Sequence, residues 1–133
     1  PLLILIKEKH FRAALKMIET NSVKLIEGSK SWIALIESKD STEKFEFVNY
    51  LLSRNVLSMS WELKGLNFIH IAIKCREGVL DTIVKCIKLC PPIGINCTEY
   101  LKFARQPSIV SRHSAEYQQR LEQKLQTLIN AGY

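Results

Sequence analysis

The 133-residue sequence lacks a long apolar run, and this absence limits how the protein can meet a membrane. Its longest uncharged apolar run covers Leu2 to Ile6, whereas a membrane-spanning helix needs about 20 apolar residues. The run also lacks the basic flank and the small-residue cleavage site of a signal peptide. The sequence therefore predicts no membrane insertion. Its start at Pro1 rather than at a methionine indicates a piece of a longer protein.

Glycine and histidine are sparse, and their placement argues against catalysis. The five glycines are dispersed, so no glycine-rich loop is present to bind a phosphate group. The three histidines, His10, His70 and His113, lie far apart, and none has a nucleophile and an orienting carboxylate at a recognisable spacing. We therefore predict that the chain is not an enzyme and uses no cofactor.

Cysteine is limited to four residues, all within residues 75–97. With 47% hydrophobic residues, the chain has enough apolar surface to fold without cross-links, so reduced thiols and a cytoplasmic location are expected. One alternative is a metal site in which Cys86 and Cys90, four residues apart on a helix, join Cys97 or His70. Inert buried thiols and no metal are favoured, because Cys86 falls where the helix pattern requires a core residue.

What the sequence does contain is an apolar helix start that recurs in four matched segments. These segments begin at Pro1, Ser31, Asn67 and Glu99, at intervals of 30, 36 and 32 residues. Such a period is typical of helical-repeat arrays. A second amphipathic stretch follows each segment, and these stretches cover residues 11–20, 43–54, 80–89 and 118–130. The predicted unit is therefore helix, turn, helix and connector.

Matching positions of the four copies carry apolar residues, which predicts a core shared between neighbouring repeats. The two predicted columns are Leu3, Ile33, Ile69 and Leu101, and then Leu5, Leu35, Ile71 and Phe103. A further column holds Trp32, Phe68 and Tyr100, which either fill the seam between repeats or anchor a partner, and packing is favoured. Asn21, Asn55 and Gly132 are expected to end the second helices in the left-handed conformation.

The third copy resembles the ankyrin repeat family. Gly65-Leu-Asn-Phe-Ile-His-Ile-Ala-Ile-Lys74 follows that family's G-x-T-P-L-H-x-A-A pattern. The stretch from Glu122 to Gly132 is similar to its closing E-x-V-x-x-L-L-x-x-G run. The resemblance implies an all-α, ankyrin-like solenoid of four degenerate helix-turn-helix repeats, at approximately 1–30, 31–66, 67–98 and 99–133. It also implies that the His70 ring ties adjacent connectors together by hydrogen bonds.

The fourth copy departs from this pattern. Pro107 prevents the helix that opens at Tyr100 from continuing. We therefore expect residues 107–117 to form an enlarged loop between the two helices, to which the sequence assigns no role.

The net charge of +6 is distributed unevenly along the chain. Residues 67–133 hold nine basic against five acidic residues, whereas residues 1–66 hold ten against eight. A row of like charges raises the local concentration of anions, so the predicted partner is a protein with an acidic surface. The alternative is that the lysines only keep the protein soluble.

The resemblance to ankyrin repeats also implies which basic residues face a partner. The predicted partner-binding residues are Lys9, Lys39 and Lys74 on the concave side, Lys30 and Lys64 on connector tips, and Arg105 one position before the matching site. These positions favour a non-catalytic adaptor that holds a partner protein.

Two further hypotheses concern the partner and the setting. A sequence pI of about 9.2 is compatible with a nucleic-acid-binding helical-repeat module, but the basic residues are interleaved with acidic ones such as Glu8, Glu37 and Glu77. Diverged, lysine-rich ankyrin copies also resemble effectors that bacteria or viruses deliver into host cells. In that case the location would be the host cytosol.

Overall fold

The computed structural model describes residues 1–89 and 94–133, and this part of the chain is mostly helical. Its elements are α1 (Leu2–Lys7), α2 (Phe11–Glu19), α3 (Lys30–Glu37), α4 (Thr42–Ser53), β1 (Glu62–Leu63), β2 (Leu66–Asn67), α5 (Phe68–Lys74), α6 (Leu80–Leu89), α7 (Cys97–Ala104), α8 (Pro107–Val110) and α9 (Ala115–Asn130). Within the described ranges, no helix combines the length and the apolar character that crossing a bilayer would require.

Side-chain caps define where five of the helices begin. In each case an oxygen of the N-cap side chain accepts a hydrogen bond from the backbone N–H three residues later, which satisfies one unpaired donor of the first turn. The caps are Ser29, Ser41, Asn67, Asn96 and Ser114. The local sequence therefore marks each of these helix starts with a short polar residue.

Left-handed residues follow three of the second helices, as predicted. Asn21, Asn55 and Gly132 have φ angles of 57°, 57° and 97° and lie just beyond α2, α4 and α9. Asparagine and glycine adopt this conformation at low cost, so they end a helix cleanly. At the corresponding place in the third copy the sequence has Cys90, Pro91 and Pro92, which lie outside the described part of the chain.

The first helices contact one another in chain order, and the second helices contact one another in two pairs. Among the first helices α1 contacts α3, α3 contacts α5, and α5 contacts α7. Among the second helices α2 contacts α4, and α6 contacts α9. Helix pairs within units also meet, as α1 does with α2 and α5 with α6. Each first helix thus buries apolar surface against the first helix that follows it.

The predicted core columns are confirmed in part, since Leu35, Ile69, Ile71 and Leu101 are buried. Leu3, Leu5, Ile33 and Phe103 are only half-buried, so the predicted columns are wrong there. The columns buried in every copy are Leu2, Trp32, Phe68 and Tyr100, and then Ile6, Ile36, Ala72 and Ala104. Members of the two columns are four residues apart in each helix, so they share one face, which is the face turned towards the neighbouring helices. The aromatic column therefore fills the core and is not available to anchor a partner.

A two-stranded hairpin interrupts the all-helical prediction. β1 and β2 pair antiparallel, with Leu63 opposite Leu66. The connecting residues Lys64 and Gly65 have φ angles of 53° and 80°, and positive values at both positions are typical of a type I′ turn. Because Lys-Gly lacks the Asn-Gly or Asp-Gly signal of such turns, the sequence did not predict this hairpin.

The predicted loop over residues 107–117 is shorter than expected. Pro107 opens a helical turn, α8, since its fixed φ and missing N–H suit the first position of a helix. α8 buries Ile109, and α9 begins at Ala115, three residues before the predicted start. Residues 111–114 remain as the connection between α8 and α9.

Candidate functional site

A cavity of about 520 Å³ lies between the hairpin and the turns that follow the first helices. Its apolar lining is Ile33, Leu63, Leu66, Ile71 and Cys75. Its charged lining is Lys39, Lys64, Lys74, Arg76, Arg112, Glu37 and Glu77. We call this cavity, with these twelve residues, the basic groove.

The structure brings together half of the predicted partner-binding residues. Lys39, Lys64 and Lys74 line the basic groove, although Lys74 is half-buried rather than exposed. Lys9 and Lys30 are exposed but do not line it. The groove therefore draws on three of the six predicted residues, which come from three different segments of the chain.

Arg105 lies at another cavity, of about 470 Å³, beside α9. Its Nε lies 2.7 Å from Glu122 Oε1, and this hydrogen bond lowers the pKa of the Glu122 carboxyl group. The charge of Arg105 is thus already matched within the chain, which makes it a weaker site for an acidic partner than the groove lysines.

Two groove residues, Arg76 and Arg112, were not predicted. Arg76 directly follows the C-cap of α5, and Arg112 lies in the connection between α8 and α9. The prediction used repeat positions, the position next to one of them, and the connector tips, and neither arginine was among these. The connection that the sequence left without a role thus supplies a cation to the groove.

The basic groove carries a net positive charge that its own carboxylates do not pair. Five basic side chains face two acidic ones, which leaves a net charge of +3. Within residues 1–89 and 94–133, no carboxylate oxygen lies within 4.0 Å of a nitrogen of the five basic side chains. Glu77 instead accepts a hydrogen bond from the hydroxyl of Ser114. The cations are therefore available to an anionic ligand.

Asp40 joins the turn that carries Lys39 to the turn that carries Arg76. Its backbone N–H donates to the carbonyl oxygen of Gly78 at 2.9 Å. Its carboxylate accepts hydrogen bonds from the backbone N–H groups of Asp81 and Thr82, at 2.8 and 3.1 Å. The two turns that carry Lys39 and Arg76 are thus joined by hydrogen bonds to the backbone.

His113 fixes the neighbouring connection in the same way. Its Nε2 donates to the carbonyl oxygen of Cys75 at 3.0 Å, and its Nδ1 lies 2.7 Å from Gln118 Oε1. The buried Gln118 in turn donates to the carbonyl oxygen of Ala104 at 2.9 Å. The hydrogen bond to Cys75 holds Arg112, which directly precedes His113, beside the end of α5.

Lys44 is a buried lysine beneath the groove and was not singled out by the sequence. Its Nζ donates to the carbonyl oxygens of Ile36, at 3.1 Å, and of Ser38. Burial lowers the pKa of Lys44 to about 8, and the nearby Asp40 carboxylate opposes this shift. The side chain stabilises the end of α3 and takes no part in the exposed basic surface.

His70 is structural, but not in the way the resemblance implied. Its Nδ1 accepts a hydrogen bond from the backbone N–H of Asn67 at 3.2 Å, within its own connector. Its ring packs against Tyr100 and Phe103, with centroid distances of 5.1 and 4.9 Å. Burial lowers the pKa of His70, which favours the neutral ring that this acceptor role requires. The hydrogen bond between turns is made by His113.

In the described ranges the cysteine thiols are not part of a group of side chains that could bind a metal ion. No group of three His, Cys, Asp or Glu residues there is close enough to hold a metal ion. Cys90, part of the alternative metal hypothesis, lies outside these ranges. Burial raises the pKa of the Cys75 thiol to about 12, so this groove residue is protonated at neutral pH.

Comparison of the chain with protein-family models, with curated proteins and with solved structures found no match.

Proposed function

We propose that the chain is a non-catalytic protein-interaction module, built as an ankyrin-like solenoid of four degenerate repeats, that binds an acidic surface of a partner protein in the basic groove. The observation that carries this proposal is the convergence of five basic side chains, unpaired by any described carboxylate, on one cavity. A role in solubility alone would not predict that these basic side chains cluster at one cavity.

The repeat architecture is supported by the order of helix contacts. Each first helix meets the next first helix, and among the second helices α2 meets α4 and α6 meets α9. Stacked helix-turn-helix units produce contacts of this kind. The hairpin at residues 62–67 extends from the connector between the second and third units. In a stack of this kind the first helices lie side by side. The connectors that precede them line one edge of this layer, and the turns that follow them line the other edge.

Protein is favoured over nucleic acid as the ligand because of the groove's lining. None of its twelve residues is aromatic, so the groove offers no platform on which bases stack. Five lining residues are apolar or a neutral thiol, which suits contact with aliphatic side chains. The aromatic residues Trp32, Phe68 and Tyr100 are fully buried and are unavailable to bases.

Parallel affinity capture with three forms of the protein tests this function. Wild type, the groove variant Lys39→Glu/Lys74→Glu, and the control variant Lys88→Glu/Lys124→Glu are each exposed to cell extract, with and without nuclease treatment. The control changes the net charge equally, at exposed positions of α6 and α9. We expect at least one protein of the extract to be captured by wild type and by the control variant but not by the groove variant. Equal retention by all three forms, or loss of every ligand on nuclease treatment, would reject the proposal.

A further inference from the structure

The basic groove carries cations beyond both ends of α5. Lys64 lies in the hairpin turn before α5, and Arg76 follows the C-cap of this helix. Lys39 and Arg112 lie on the same side as Arg76, because their turns are hydrogen-bonded to Gly78 and Cys75. α5 has seven residues, so its two ends are about 10 Å apart. The groove therefore presents cations beyond both ends of a helix about 10 Å long.

The floor between these two sets of cations is apolar. Ile71 is 9% exposed on α5, and the half-buried Ile33 lies beside it on α3. Leu63 and Leu66 of the hairpin complete this strip, and Leu63 is 37% exposed. A charged group placed over this strip would lose water without gaining a partner, whereas an aliphatic side chain would bury apolar area.

The C-terminal ends of α3 and α5, the two helices of the groove floor, repel an anion less than helix ends with unpaired carbonyl groups would. Two carbonyl oxygens at the end of α3, those of Ile36 and Ser38, accept hydrogen bonds from Lys44. The carbonyl oxygen of Cys75, beyond α5, accepts one from His113. These contacts offset the negative end of each helix dipole at the side where Lys39, Arg76 and Arg112 lie.

On the basis of the proposed function, we infer that the groove takes an extended segment of the partner in which two carboxylates flank one aliphatic side chain. In an extended chain, residues i, i+2 and i+4 point to one side. At about 3.3 Å per residue, positions i and i+4 are about 13 Å apart. This span is close to the length of α5, beyond whose two ends Lys64 and the cluster of Lys39, Arg76 and Arg112 lie.

Fluorescence anisotropy with labelled synthetic peptides tests the spacing. The probe carries Glu-Ser-Leu-Ser-Glu between neutral flanks. One control peptide has the same composition with both glutamates adjacent, and another has serine in place of leucine. We expect each control to bind wild type at least about fivefold more weakly. We also expect Lys64→Glu and Arg112→Glu each to weaken the probe about tenfold or more, while Lys88→Glu leaves its affinity unchanged.

The outcomes separate this inference from the proposed function. If acidic peptides of every spacing bind equally and Lys64→Glu weakens them all alike, the spacing inference fails and the proposed function stands. If no acidic peptide binds, or if generic single-stranded RNA binds more tightly with a steep loss on salt addition, both fail. Urea unfolding of each variant verifies that it folds. Because the substituted side chains are exposed, we expect each variant to be about as stable as wild type.

Discussion

Asp40 caps a helix to which it does not belong: its Oδ1 accepts the backbone N–H of Thr82 at 3.1 Å, in the first turn of α6. The Thr82 hydroxyl donates to the same oxygen, and Asp40 Oδ2 accepts the N–H of Asp81 at 2.8 Å. A residue between α3 and α4 thus satisfies donors that begin the second helix of the next predicted unit. The turn that carries Lys39 is fixed by this contact between units.

Asp40→Ala should therefore destabilise the chain more than a surface substitution does. It removes the acceptor for two backbone donors and leaves the buried Thr82 hydroxyl without its partner, so a loss of about 2 kcal/mol is expected. The measurement is the free energy of unfolding in urea. Glu46→Ala, at an exposed position of α4, is the control and should change stability by less than about 0.5 kcal/mol. Similar losses for both variants would contradict the capping role.

Lys44 predicts a specific pH dependence of stability. Its pKa is about 8 in the folded chain, against the ordinary lysine value of 10.5, so between these values the unfolded chain binds more protons. Stability should then rise with pH across this window, by roughly 1 kcal/mol per unit, relative to Lys44→Met, which has no such group. The measurement is the difference in unfolding free energy between the two proteins from about pH 8 to 10.

Taking this difference is necessary because other buried groups act in the opposite direction. Burial raises the pKa of Cys75 and of Tyr117 to about 12, so ionisation of the unfolded chain lowers stability at alkaline pH. The Tyr117 contribution is the same in both proteins and cancels in the comparison. Because the charge of Lys44 itself lowers the Cys75 pKa, both proteins carry Cys75→Ser. Lys88→Met, at an exposed position, should follow wild type at every pH. A difference that stays constant with pH would show that Lys44 is not perturbed.

Asn67→Ala should cost more than the equivalent change at Asn96. Both side chains cap a helix, but the buried Asn67 also donates from Nδ2 to the Tyr100 hydroxyl at 3.0 Å. Its loss leaves a buried hydroxyl unpaired, so about 2–3 kcal/mol is expected, against about 1 kcal/mol for the exposed Asn96. Thermal unfolding of the two variants measures this. Equal shifts would show that the bond to Tyr100 adds nothing.

The revised core columns are tested by a large-to-small substitution. Ile36→Ala empties a fully buried position between neighbouring first helices and should cost about 2–5 kcal/mol. Ile4→Ala is the matched control, since Ile4 is 58% exposed, and should change stability by less than about 0.5 kcal/mol. Urea unfolding distinguishes the two. A small effect of Ile36→Ala would place the core on another face.

Hydrophobic periodicity was sufficient to predict most helices but not which side of each helix is buried. The stretch at 80–89 was predicted with the bounds observed, and that at 11–20 differs by one residue. The first helices have only six to eight residues and are apolar on several sides, so their pattern alone could not choose between adjacent columns. The aromatic column at Trp32, Phe68 and Tyr100 is buried because it meets neighbouring helices, which is tertiary information.

The groove was predicted in part for a similar reason. Lys39, Lys64 and Lys74 were identified by their repeat positions, whereas Arg76 and Arg112 reach the groove through hydrogen bonds between turns. The buried position of Lys44 could not be predicted from the sequence. A lysine in an amphipathic pattern is usually solvated, and only the unpaired carbonyls of Ile36 and Ser38 give it a buried role.

The central claim, that a partner binds in the basic groove, is tested most directly by locating the ligand on the protein. Nuclear magnetic resonance of the isotope-labelled chain, titrated with the Glu-Ser-Leu-Ser-Glu peptide, reports the backbone amides that the ligand perturbs. We predict that the perturbed amides cluster at residues 62–66, 71–77 and 112, and that those of Lys88 and Lys124 do not move. Perturbations concentrated on α6 and α9, or spread evenly over every lysine, would contradict the account.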